Sequence, residues 1–285
     1  NEAGDTDYVV YGYMNRGIHE GKAGISFMHY DNLTNMNEEK LFISFDKSFE
    51  VLKAELGKML YENTEGSIYL LFDGTAYCAD ASSLDMKVIA SDLNDNTCAV
   101  SESKRYFAWI GDKSSRKINI MDLETGNIEQ VSVKKGRKLK VLGFLGEDLV
   151  YGLTKDENKK NITAGMEQTP MYALRIVSGS DTELLKKYQK SGYYISNVEF
   201  VDGVLIIHRL ILGEGGYTQT QQHSIVNRNQ DTSELEVIHT TVTERRQTQV
   251  QLVLPESEPD SQPVYVAARL VMNREDRETS LKSEQ

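Results

Sequence analysis

The sequence predicts an all-β chain made of repeated four-stranded sheets, and three observations carry that expectation. An apolar strand, a tight turn and a second apolar strand recur from residue 67 almost to the end, first in Gly66-Ser-Ile-Tyr-Leu-Leu-Phe-Asp-Gly-Thr-Ala-Tyr-Cys-Ala-Asp80, then over 99–122 and 141–176. Comparable elements return after roughly 40–50 residues, the period of a four-stranded propeller blade. The composition agrees: hydrophobic residues make up only 39% although there are 15 tyrosines, as fits blades whose outer strands are polar. The predicted fold is a β-propeller of about five blades with one amphipathic helix.

The elements follow in order. Residues 7–14 (Asp-Tyr-Val-Val-Tyr-Gly-Tyr-Met) read as a strand rich in β-branched and aromatic residues, 15–22 as a loop with two glycines, 23–30 and 40–45 as further strands. Asp46 is a candidate N-cap. Phe49, Leu52, Leu56, Met59 and Leu60 then fall on one face of a 3.6-residue period, which predicts a helix over 47–62 ended by Asn63 and Gly66. Blades are expected at about 67–90, 97–133, 139–189 and 193–247, bounds set by the same four-strand period. The stretch 155–168 is a long polar loop within the third, and Asp202-Gly203 a two-residue hairpin turn within the fourth. Residues 248–254 and 264–272 read as strands around a proline-containing connection, and 273–285 as a charged tail. The expectation is a single domain over 1–285. Its N-terminal strands and those of 248–272 would close the ring, because open sheet edges invite aggregation.

Charge narrows the partners. The net charge is −11, whereas nucleic-acid binding needs a clustered basic excess; the run Lys134-Lys135-Gly-Arg137-Lys138 reads as a solvated turn. No window approaches the ~20 apolar residues of a membrane span. The chain begins at Asn1, which suggests a segment of a larger protein with a possible anchor upstream. Cys78 and Cys98 lie in strand-like runs and read as buried free thiols, a disulfide being the alternative.

Tyr11-Gly-Tyr-Met-Asn-Arg-Gly-Ile-His-Glu-Gly21, Leu142-Gly-Phe-Leu-Gly-Glu-Asp-Leu-Val-Tyr-Gly152 and Pro170-Met-Tyr172 together resemble uncharacterised propeller-like regions of secreted or membrane-anchored proteins of Gram-positive anaerobes. The resemblance covers roughly 7–255. It implies an extracellular or cell-surface location and a larger parent protein, and it brings no catalytic residue.

No local pattern yields a catalytic residue, a metal site or a cofactor. His19-Glu20 would need a second His at position 23 for a zinc-protease helix, and position 23 is Ala; a metal set of His19, Glu20 and His29 is a weaker variant. Asp92-Leu-Asn-Asp-Asn-Thr97 spaces oxygen ligands as calcium loops do but lacks their glycine and terminal Glu, so an Asn/Asp turn is expected. Gly213-Glu-Gly-Gly216 is a hairpin connection, not a phosphate cradle. His208 and His223 read as strand residues, and Tyr8, Tyr11, Tyr13, Tyr193 and Tyr194 as blade packing. The expected function is a non-enzymatic, monomeric binding or scaffolding module whose partner is a protein or cell-wall polymer. Its candidate contact residues are Asn15, Arg16, His19 and Glu20 on the glycine-flanked loop, since recognition is usually built on loops held by a rigid scaffold. A propeller-type enzyme acting on glycans through rim carboxylates is the alternative.

Overall fold

A computed structural model describes residues 5–46, 48, 50, 58–80, 83, 85–161, 169–201, 203–226, 237–242, 248–253 and 270–281. The chain divides into two compact units, 1–227 with 268–285, and 228–267.

The larger unit is a series of antiparallel sheets in chain order, the architecture of propeller blades. The first sheet holds β1 (Thr6–Tyr13), β2 (Ala23–Asp31) and β3 (Met36–Phe45). The second holds β4 (Leu60–Glu62), β5 (Ser67–Phe72), β6 (Thr75–Asp80) and β7 (Met86–Ala90). The third is β8 (Cys98–Val100), β9 (Tyr106–Ile110), β10 (Lys117–Asp122) and β11 (Ile128–Ser132). The fourth is β12 (Arg137–Leu145), β13 (Asp148–Lys155), β14 (Ala173–Ser178) and β15 (Leu184–Tyr188). The fifth is β16 (Tyr193–Val201), β17 (Val204–Gly213) and β18 (Gly216–Val226). The smaller unit contains the hairpin of β19 (Val237–Val242) and β20 (Thr248–Val253). Two C-terminal strands of the larger unit, β21 (Leu270–Met272) and β22 (Glu278–Leu281), both run parallel to β3 on the edge that β2 leaves open.

Period-2 side-chain alternation explains why the sheets stack. In β5, Ile68, Leu70 and Phe72 pack towards Ile25, Phe27, Leu41 and Ile43 of the first sheet. Tyr69 and Leu71, between them, pack towards Phe107, Trp109 and Met121 of the third. In β13, Leu149, Tyr151 and Leu153 join Ile118 and Ile120 of the third sheet, while Val150 joins Ile195, Leu205 and Ile207 of the fifth. A strand buried on both faces must be apolar at every position, and that is the continuous run seen in Ile68–Phe72. Each such side chain contributes about 1.5–3 kcal/mol on full burial.

Polar bonds register the second sheet against the third. Tyr61 Oη and the Thr64 amide donate to Glu124, at 2.6 and 3.2 Å, and the Asn63 side chain donates to the Leu123 carbonyl. The Arg105 guanidinium grips Asp122 with two bonds, at 3.0 and 2.9 Å, a planar fork that holds the end of β10.

Three expectations need correction. Residues 60–62 form β4, so the helix expected over 47–62 does not reach its stated end; 47, 49 and 51–57 lie outside the described residues. The strand wins there because Leu60–Glu62 pairs with Ile68–Leu70, and Met59 is fully buried against Tyr69 and Leu71. The charged tail of 273–285 contains β22, anchored by Leu281 inside the first core cluster. The cysteines are free but only half-buried. Burial pushes the Cys98 thiol up to about 11 and raises that of Cys78 as well.

Candidate functional site

The loop between β1 and β2 is the predicted contact surface, and it is a closed turn. Met14 donates to the Lys22 carbonyl at 2.8 Å and accepts from the Gly21 amide at 2.9 Å; Lys22 and Glu20 donate back to His19 and Gly17. Gly17 and Gly21 have φ of +91° and +85°, which only glycine adopts without strain. Asn15, Arg16 and Glu20 are exposed on this turn. His19 is not with them: it points inward and is 3% exposed.

The inward turn of His19 creates the most elaborate polar cluster of the first sheet. Its Nε2 lies 2.8 Å from Glu39 Oε2, and its ring stacks on Phe42 at 3.7 Å and 9°. Glu39, 1% exposed, also accepts from the Ser26 hydroxyl and from the Arg274 amide at 3.3 Å. On the far side, His19 Nδ1 lies 3.5 Å from Glu278 Oε2, an ion-pair distance without a hydrogen bond. Lys22 donates to both Glu278 oxygens, and Arg274 pairs with Glu38 at 3.0 Å. The loop, β3 and the C-terminal strands therefore meet on one carboxylate–imidazole–carboxylate stack. Gly24 makes room for it, since a Cβ there would lie 2.5 Å from Phe42 Cζ.

This arrangement is not that of a nucleophile. In a hydrolytic triad the imidazole stands between hydroxyl and carboxylate and takes the hydroxyl proton. Here Glu39 stands in the middle and receives both Ser26 and His19. Nor do His19 and His29 share a partner, because His29 Nδ1 is 2.9 Å from Asp7. Among the described residues no group of three or more His, Cys, Asp or Glu side chains is placed to hold a metal ion.

Rim carboxylates do gather elsewhere. Asp7, Glu62, Glu65 and Glu124 line a recess of about 550 Å³ beside Lys40. Burial alone would raise the Asp7 carboxyl, but hydrogen bonds from Lys40 and His29 leave it below its ordinary range. The Thr64 and Tyr61 hydroxyls lower Glu124. Both are thereby favoured as carboxylates.

The other sequence-marked residues are placed as follows. Asn94, Asn96 and Thr97 spend their oxygens and amides on one another, as in an Asn/Asp turn, and Asp95 pairs with Lys58 at 2.7 Å. His208 faces Glu199 and Gln222, and His223 lies against the Tyr188 ring. Tyr8, Tyr11 and Tyr13 correct the packing expectation: they are 37%, 44% and 57% exposed. The cause is position, because β1 stands at the end of its sheet. Glu39, Ser26 and Glu278, which pin the loop, carried no signal in the sequence beyond lying at the ends or middle of alternating strands.

No family model matches the chain, and no curated protein matches it. Solved structures do resemble it. The β-propeller domain of the Trilobed protease from Pyrococcus furiosus is 12% identical, with 88% of this chain and 75% of that one covered at a TM-score of 0.33. BamB from Moraxella catarrhalis is 9% identical, with 78% and 65% covered at 0.33. An oligogalacturonate lyase from Vibrio parahaemolyticus is 11% identical, with 78% and 66% covered at 0.32. Likeness at this level carries no argument about activity; the propeller reading rests on the sheets themselves.

Proposed function

We propose that the chain is a non-enzymatic binding or scaffolding module that works outside the cytoplasm and contacts a protein or a cell-wall polymer through the 15–22 loop. The observation that carries this reading is the pinning of the loop by buried His19, which holds exposed Asn15, Arg16 and Glu20 on a turn already closed by its own backbone. A loop ordered before binding loses little entropy on contact. The exposed tyrosines of β1 extend the same edge with apolar area and polar tips. The location rests on the resemblance to propeller-like regions of secreted or membrane-anchored proteins of Gram-positive anaerobes. No helix among the described residues is long and apolar enough to cross a membrane.

The test is a binding screen against cell-wall polymers and candidate surface proteins with the parent chain and Arg16→Ala. Loss of binding in a variant whose melting midpoint is unchanged supports the reading. Normal binding by Arg16→Ala and Glu20→Ala sinks the site assignment, and turnover of a glycan or peptide by the purified chain sinks the non-enzymatic reading.

A further inference from the structure

The fourth and fifth sheets share a recess unlike the rest of this acidic molecule. It has a volume of about 650 Å³ and is lined by Lys155, Lys187 and Lys190, with no acidic residue in its wall among the described residues. Lys155 is paired with Glu157 at 2.9 Å. Lys187 and Lys190 have no ion-pair partner among the described residues. Arg175 lies directly across the strand pair from Lys187, an opposition of like charges that weakens a sheet, and its buried Nε finds no acceptor among the described residues. The positive field reaches further. Burial, and then the charges of Arg209, Lys186 and Lys190, hold the His223 imidazole below its ordinary range.

The aromatic residues position these cations. Lys155 Nζ stands over the Tyr172 ring at 5.1 Å and Lys190 Nζ over Tyr193 at 4.6 Å, with Arg209 also 4.8 Å from the Tyr193 centroid. A ring face that attracts an ammonium fixes where the charge sits without neutralising it. Neutral hydrogen-bonding groups complete the wall in Gln189 and Ser191.

We propose that this recess binds an acidic polysaccharide, its lysines taking the sugar carboxylates and Gln189 and Ser191 the hydroxyls. Three features select this ligand. The volume is many times that of a single small anion and accommodates a few sugar rings. The cations in the wall itself are lysine point charges rather than the guanidinium forks suited to bidentate phosphate, Arg175 and Arg209 standing outside it. The Tyr172 and Tyr193 rings already hold cations, so they do not offer the open stacking platform that single-stranded nucleic acid uses. The site is separate from the 15–22 loop and does not depend on its role.

The experiment is affinity electrophoresis and calorimetry of the full chain with alginate oligomers, with the same oligomers after reduction of their carboxylates to alcohols, and with oligo(dT) of matched charge. The expected result is binding to alginate only, weakened at least tenfold by Lys187→Gln with Lys190→Gln and unchanged by Arg16→Ala. Lys134→Gln with Lys135→Gln removes the same charge from an exposed turn and should leave binding within twofold. Equal binding of carboxyl-reduced oligomers, equal binding of oligo(dT), no binding of alginate, or an equal loss in the Lys134/Lys135 variant would each overturn the proposal. Circular dichroism and the melting midpoint establish that the variants are folded; should the double variant unfold, Lys190→Gln alone carries the test with an expected loss of at least threefold.

Discussion

Replacing Glu39 by Ala should detach the C-terminal strands and loosen the 15–22 loop in one step. The carboxylate is 1% exposed and receives His19 Nε2, the Ser26 hydroxyl and the Arg274 amide. Alanine leaves all three donors facing an apolar gap beside Phe42. Each buried donor left unsatisfied costs about 1–3 kcal/mol, and each hydrogen bond to a charged group is worth about 1.5–3 kcal/mol. These figures describe the same loss, so three donors at the low end of either range give an expected destabilisation of about 3–5 kcal/mol rather than their sum. For a unit of this size 1 kcal/mol moves the melting midpoint by about 2–4 °C, so a fall of roughly 6–20 °C is expected by scanning calorimetry. The control is Glu38→Ala on the same strand. Its pairing with Arg274 is half-exposed and should be worth about 0–1 kcal/mol. A Glu39→Ala midpoint within 2 °C of the parent would refute the claim that this carboxylate holds loop and strands together.

Other outcomes follow from the same geometry. Gly24→Ala places a methyl 2.5 Å from Phe42 Cζ and 2.6 Å from the Ile43 carbonyl; overpacking of this kind costs about 1–3 kcal/mol, read as a lowered midpoint with altered near-ultraviolet dichroism. The Arg105 fork lowers the Asp122 carboxyl, so its stabilisation is complete above the ordinary carboxylate range near pH 4 and is lost as pH falls through and below it; Asp122→Asn should flatten acid unfolding in that window, and an unchanged acid limb would count against the pair. Cys98, with its thiol pushed up to about 11, should react with a disulfide reagent at pH 8 at least about tenfold more slowly than a free thiol of ordinary pKa near 8.5, its smaller thiolate fraction outweighing its higher intrinsic nucleophilicity; a rate equal to glutathione would contradict its placement.

The blades were legible because both faces of their central strands are buried, which writes uninterrupted apolar runs such as Ile68–Phe72 and Leu149–Leu153 into the chain. Their turns were legible too: Gly213↔Gly216 and Val201↔Val204 close the hairpins where the glycine-rich and Asp-Gly sequences stand. Leu60 misled, because a residue at helical spacing from Leu56 also continues a strand, and pairing with β5 decides between them. β22 was hidden since Glu278-Thr-Ser-Leu281 carries a single apolar side chain, and its partners lie more than 230 residues earlier. The loop was marked by its glycines and polar residues, but the inward turn of His19 depends on Glu39, Phe42 and Glu278, which no local pattern links to it.

Amide hydrogen exchange over residues 14–22 tests most directly whether the contact loop is built before any partner arrives. The amides of Met14, Gly21 and Lys22, each bonded across the turn, should exchange as slowly as those of β2 in the parent chain and at least a hundredfold faster in Glu39→Ala. Exchange of these amides at the rate of an unstructured peptide in the parent chain would contradict the account.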